Sequence, residues 1–161
     1  MAISYIVNLD ELSVLSYFCG VSSIHGLPDL PRIASDKCEI LIKTLGEQGM
    51  IYQQGENISV DMALGFVIFN ISRPSLFIKT PESILGYCTP ELGVVVAKDI
   101  RSTNKYRIAP LQNASELATK LWGESQLIQR KEIYLHYINE NPKLLQMTAL
   151  ELESTIAKIY L

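Results

Sequence analysis

The sequence predicts an α+β fold: an antiparallel sheet of four to five strands flanked by helices, with helices dominating the N-terminal half. Three observations carry this. Up to Ile71 the apolar residues recur mostly at three- and four-residue spacing, the period of a helix with one buried face. From Ser75 to Ala109 the period changes to short runs rich in β-branched and aromatic residues, separated by turn chemistry. And 161 residues, 48% of them hydrophobic and only 19% charged, are enough for one domain (residues 1–161) with a sizeable core.

The chain opens on a short extended run, Ile3 to Val7. Asn8 then caps a first helix, with Glu11 three positions on as the reciprocal partner of a capping box. Leu12, Leu15, Phe18 and Cys19 fall on one face, and Gly20 stops the helix. A loop with His25, Gly26 and Pro28 follows. A second helix is expected over Arg32 to Leu45, where Ile33, Cys38, Leu41, Ile42 and Leu45 make an apolar stripe interrupted by Lys37. Gly46 and Gly49 end it. Met50 to Gln54 reads as a short strand and Gly55-Glu56-Asn57 as a turn. Ser59 is the expected cap of a third helix burying Val60, Ala63, Leu64, Val67, Ile68 and Ile71. Arg73-Pro74 closes it, because the residue before proline avoids the helical region.

Four strands are expected next, at Ser75–Lys79, Ile84–Cys88, Gly93–Lys98 and Lys105–Ala109. The turns between them are Thr80-Pro81-Glu82, Thr89 to Gly93 and Ser102-Thr103-Asn104. Short connections make this an antiparallel meander and not a set of βαβ units. Asn113 caps a fourth helix, Glu116 completes its box, and Leu117, Leu121 and Trp122 are its stripe. Gln126 to Ile138 fits either period; the alternation of Ile133, Leu135 and Tyr137 with Tyr134 and His136 favours a strand. Pro142 starts a turn. Thr148 and Glu151 form a capping box for a last helix carrying Leu152, Ile156, Ile159 and Tyr160.

Little in this chain looks like a reaction centre. His25 and His136 have no Cys, His or carboxylate at ligand spacing, so no metal is expected. No G-x-S-x-G occurs, and the glycines at 46 and 49 lack the Lys-Ser/Thr pair of a phosphate loop. Asp10-Glu11 opens a helix, where the macrodipole favours negative charge, and capping accounts for it. Cys19, Cys38 and Cys88 are three in number, widely spaced and in apolar surroundings, and read as buried free thiols of a cytosolic protein. The expectation is a chain that is not an enzyme and takes no cofactor. The N-terminus lacks a basic n-region, and no apolar run is long enough to span a membrane.

A formal charge of −3 and a pI near 5.4 provide no basic footprint for nucleic acid. The alternative of a winged-helix transcriptional regulator rests on the helix, Gly-rich break and strand at 32–58. The helix, however, would expose Asp36, Glu39, Lys43 and Thr44, a mixed-sign face that suits phosphate poorly. Low charge with high apolar content leads instead to a homodimer or a partner-covered face. Eight tyrosines, five of them at 52, 87, 106, 134 and 137 in or beside expected strands, suit a half-buried pleated surface, and equally a protein interface. The hairpin tip around Arg101, Asn104, Lys105 and Tyr106 is either an ordinary exposed turn or a partner-contacting loop, and these four are the candidate binding residues.

Three stretches carry a family resemblance: the opening helix NLDELSVLSYFCGV, the helix-break-turn LGEQGMIYQQGENISVD, and the strand-then-helix KYRIAPLQNASELATKLW. Their layout resembles the EspG-type cytosolic chaperones of type VII secretion and their smaller relatives in Gram-positive type VII loci. The resemblance implies a non-enzymatic adaptor that keeps a small helical secretion substrate soluble in the cytoplasm, by burying its apolar tip against the sheet and adjoining loops, and delivers it to the secretion machine.

Overall fold

The computed structural model describes residues 3–101, 104–123 and 125–160. Its contacts divide the chain into two compact units, Val7–Arg73 and Met1–Ile6 with Pro74–Leu161. Among the described residues there are nine strands and five helices.

β1 (Tyr5–Asn8) runs directly into α1 (Leu9–Phe18). The capping box forms as expected: the Glu11 amide donates to Asn8 Oδ1 at 2.7 Å, and the Asn8 amide donates to Glu11 Oε1 at 2.9 Å. Asp10 pairs with Lys37 of α2 (Ser35–Glu47) at 2.5 Å. That helix starts three residues later than the sequence suggests, after the extended Ala34. Its stripe is also less buried than expected: only Leu45 is fully enclosed and Ile40 is exposed.

β2 (Ile51–Gln54) and β3 (Asn57–Val60) form an antiparallel hairpin with Tyr52 opposite Ser59. The two-residue connection Gly55-Glu56 needs φ of 63° at Gly55, a conformation that glycine adopts without steric cost. Ser59 is therefore held in a strand ladder and is not a helix cap. The cap is Asp61, whose Oδ2 accepts from the Leu64 amide at 3.2 Å to start α3 (Met62–Ser72).

The second unit is built on a seven-stranded sheet of order β1-β7-β6-β5-β4-β8-β9. Its strands are β4 (Leu76–Lys79), β5 (Leu85–Cys88), β6 (Gly93–Lys98), β7 (Lys105–Leu111), β8 (Lys131–Tyr137) and β9 (Lys143–Met147), with β1 at one edge. α4 (Ala114–Trp122) precedes β8 and α5 (Ala149–Ala157) follows β9. The pairs from β4 to β9 are antiparallel, with Phe77 opposite Tyr87 on one side and His136 on the other.

Two sequence expectations on fold class are thereby corrected. The sheet has seven strands plus a separate pair, not four or five. The N-terminal half is not mainly helical, since it holds β1, β2, β3 and β4. The extended run at the N-terminus is β1, as expected, and the strands beyond the sequence reading are β3 and β9. β3 is only four residues long and takes up Asn57 of the expected turn and Ser59 of the expected cap, and β9 is an edge strand with Leu144 and Leu145 both exposed, so its alternation is not clean. Lys131–Tyr137, ambiguous in sequence, is a strand.

One face of the sheet packs on α4 and α5. Leu76, Ile78, Cys88, Val95, Ile133 and Leu135 meet Leu117, Leu121, Trp122, Leu152 and Ile156 in one cluster. The alternate residues Phe77, Leu85, Tyr87, Val94, Val96 and Ile108 are buried as well. Burial on both faces is why β4 to β6 read as nearly continuous apolar runs. The helix caps fit this frame. Thr148 and Glu151 make a full box, whereas Asn113 accepts from the Glu116 amide at 2.9 Å but the Glu116 carboxylate accepts from Gln112, so that box is not reciprocal.

Candidate functional site

The β6–β7 hairpin carries all four candidate residues. β6 and β7 pair over six positions, from Gly93 opposite Leu111 to Lys98 opposite Tyr106. Beyond the ladder the Asp99 amide donates to the Lys105 carbonyl at 2.8 Å. Asp99 and Arg107 are diagonal neighbours on one face of this pair. The buried Asp99 carboxylate accepts from Arg107 Nη2 at 3.2 Å, and Arg107 Nη1 donates to Ser4 Oγ at 3.0 Å. This clamp ties the ends of β6 and β7 to each other and to Ser4.

Arg101 and Asn104 lie on the connection between β6 and β7, exposed, while Lys105 and Tyr106 are half-buried in the first two positions of β7. Successive strand residues point to opposite faces, so Lys105 and Tyr106 do not share a surface. Ser102 and Thr103 of the expected turn lie outside the described residues. Two features of this hairpin go beyond the sequence reading. Ile100 is 97% exposed, an apolar side chain offered to solvent beside Arg101. The Asp99–Arg107 clamp was also overlooked, although an acid just past β6 and a base two residues into β7 are the spacing it requires.

Other surfaces are less organised. An open cleft of about 730 Å³ lies beside α4, where Ile3, Leu92, Pro110 and Leu111 meet Glu91, Glu116 and Lys120. A second, of about 540 Å³, lies between α1 and the Pro31–Glu39 segment and is lined by Val14, Tyr17, Ile33 and Cys38. Glu116 is committed to the start of α4, and neither cleft brings a histidine to a nucleophile. His136 instead ends an aromatic row across β5, β4 and β8. Ring centroids there are 5.3 Å apart for Phe77–Tyr87, 6.1 Å for Phe77–Tyr134 and 6.4 Å for Tyr134–His136. Edge-to-face stacking of this kind contributes to packing.

Among the described residues no three His, Cys, Asp or Glu side chains converge on a point that could hold a metal ion. The cysteines are free, but only Cys88 is fully buried; Cys19 and Cys38 are half-exposed, which corrects the sequence reading. Burial pushes the Cys88 thiol up to about 12 and raises Cys19 as well. Burial likewise raises the Tyr87 and Tyr160 phenols. No helix among the described residues is long and apolar enough to cross a membrane.

No protein-family model matches the sequence, and neither does any curated protein. The fold, however, is similar to a solved one: the Mycobacterium tuberculosis type VII secretion chaperone EspG5, determined in complex with the PE25–PPE41 dimer. The match has a TM-score of 0.54 at 11% sequence identity and covers 74% of this chain. This chain spans 50% of the length of that chaperone. At that identity the likeness is one of fold.

Proposed function

We propose that this chain is a protein-binding adaptor of the type VII secretion-chaperone kind, which holds a small helical secreted protein in the cytoplasm and does no chemistry of its own. The observation that carries this reading is the fold shared with EspG5, a chaperone whose solved complex holds a PE25–PPE41 dimer. The β6–β7 hairpin supports it locally. A clamped base and a connection bearing Ile100 and Arg101 offer an exposed apolar side chain next to an arginine, a residue type enriched at protein interfaces. Arg101, Asn104, Lys105 and Tyr106 remain the proposed contact residues, with Ile100 added. No observation favours the DNA-binding alternative. α2 exposes Asp36, Lys37, Glu39 and Lys43, which are of both signs.

The test is co-expression with small helical-hairpin proteins encoded beside its gene, followed by size-exclusion chromatography with light scattering. A stoichiometric complex that is lost on Ile100→Asp or Arg101→Glu, with unchanged thermal unfolding of the free chain, supports adaptor and hairpin together. A complex indifferent to both substitutions removes the hairpin from the proposal. The absence of any complex removes the adaptor reading.

A further inference from the structure

α3 is apolar on two opposite sides. Leu64, Val67, Ile68 and Ile71 are buried on one of them. On the other, Met62 is 88% exposed, Phe66 48% and Phe69 52%. At about 100° per residue, Met62, Phe66, Phe69 and Arg73 fall within about 60° of one another, a single narrow stripe. A helix apolar all round is normally enclosed in protein or membrane. The eleven residues of α3 rise only about 16 Å, roughly half the hydrocarbon thickness of a bilayer, so protein is the fitting cover.

We infer that the cover is α3 of a second copy of this chain, packed antiparallel about a two-fold axis. The charges at the two ends of the stripe select this occupant. At the N-terminal end stands Asp61, which accepts from the Leu64 amide at 3.2 Å and from the Tyr52 hydroxyl at 3.3 Å. A carboxylate has about four acceptor positions, so capacity is left for another donor. At the other end the Arg73 guanidinium lies 5.9 Å from the Phe69 ring centroid, and it is in none of the ion pairs among the described residues. Antiparallel pairing sets Phe66 of each copy against Phe69 of the other. It also brings each Arg73 to the end of the partner helix that carries Asp61 and Met62. Parallel pairing would set like charge against like. An isologous contact of this sort closes on itself and leaves no further surface to extend.

The contact is small. One short helix with Tyr52 beside it covers less than the roughly 800 Å² per partner of a standard interface, which makes this a weak, concentration-dependent dimer. The inference does not rest on the adaptor reading and is tested by a different readout.

Sedimentation velocity of the full chain from low to high micromolar concentration decides it. The expected result is a monomer–dimer equilibrium that Phe66→Glu abolishes. Asp61→Asn, which keeps the helix cap because Asn caps as well as Asp, and Arg73→Gln should each weaken it by about tenfold. Far-UV circular dichroism checks that the variants stay folded; the two conservative changes keep the test decisive should Phe66→Glu not fold. A chain that is monomeric throughout overturns the inference. So does a dimer that Phe66→Glu leaves intact. A dimer sensitive to Phe66→Glu but indifferent to both Asp61→Asn and Arg73→Gln overturns the antiparallel pairing, which depends on those charges.

Discussion

The hydroxyl of Tyr160 lies 1.7 Å from the point where a Cβ on Gly93 would stand. Tyr160 follows α5, and Gly93 opens β6. The Tyr160 hydroxyl can come this close to β6 only because position 93 has no side chain, and Leu117 Cδ2 closes the same spot at 3.0 Å. Glycine is thus required here by close approach and not by backbone angle. Gly86, with Leu121 Cδ1 at 2.7 Å, is a second such position beneath α4.

Gly93→Ala should therefore destabilise the protein by about 1–3 kcal/mol, the usual cost of overpacking a filled site. Tyr160→Phe should be close to neutral. Its hydroxyl is buried with no hydrogen-bond partner among the described residues, so removing it relieves desolvation instead of breaking a bond. The pair should be non-additive, with the double variant regaining part of the Gly93→Ala loss. Urea unfolding of the four proteins measures this; strict additivity would contradict the contact.

Lys131 ties the end of α4 to the start of β8. Its ammonium donates to the Trp122 carbonyl at 2.8 Å, pairs with Glu82, and lies 5.0 Å from the Trp122 ring centroid. The carbonyl belongs to the last turn of a helix, where acceptors have no intrahelical donor. Lys131→Met keeps the stem but removes the donor, and should cost about 1–3 kcal/mol. Glu82→Gln should cost less, since Glu82 is about half exposed and its charge is screened by water. Equal unfolding midpoints for Lys131→Met and the parent chain would refute this assignment.

Glu151 should give stability a modest acid dependence. The Thr148 amide and hydroxyl, and then Arg130, hold its carboxyl below the usual value of 4.5. The unfolded chain thus takes up this proton before the folded one does. The contribution is fully present above about 4.5, and it is lost as pH falls through the depressed folded value. Thermal unfolding followed from neutral into acid should show a shallower fall for Glu151→Gln than for the parent chain. Identical slopes would mean that the box does not persist in solution.

The thiols should separate kinetically. Cys88 is fully buried and pushed up to about 12, whereas Cys19 and Cys38 are half-exposed. Since the thiolate is the reactive form, a chromogenic disulfide reagent should modify Cys19 and Cys38 in the folded protein. It should reach Cys88 only as the chain unfolds. One uniform rate for all three would show that the β5–α4 packing opens freely.

What the sequence determined by itself was local. Asn8 with Glu11 and Thr148 with Glu151 announced their helices, because a cap is completed within four residues. The turns between β4, β5 and β6 were legible in Thr, Pro and Gly for the same reason. The aromatic alternation of β8 was enough to choose strand over helix. The tertiary structure decided whatever depends on a distant partner. Ser59 looked like a cap until Tyr52 was set opposite it in a ladder, and β9 was invisible until β8 gave it an edge. The burial of Gly93 beneath Tyr160 joins residues 67 positions apart, as Gly86 beneath Leu121 joins residues 35 apart, and no local pattern encodes either. For the candidate site, the sequence located the β6–β7 tip by its charge. Only the fold revealed that Asp99 and Arg107 brace it, that Ile100 stands out from it, and that the second apolar side of α3 is uncovered. Helical periodicity shows that a face is apolar; what covers that face is settled by packing.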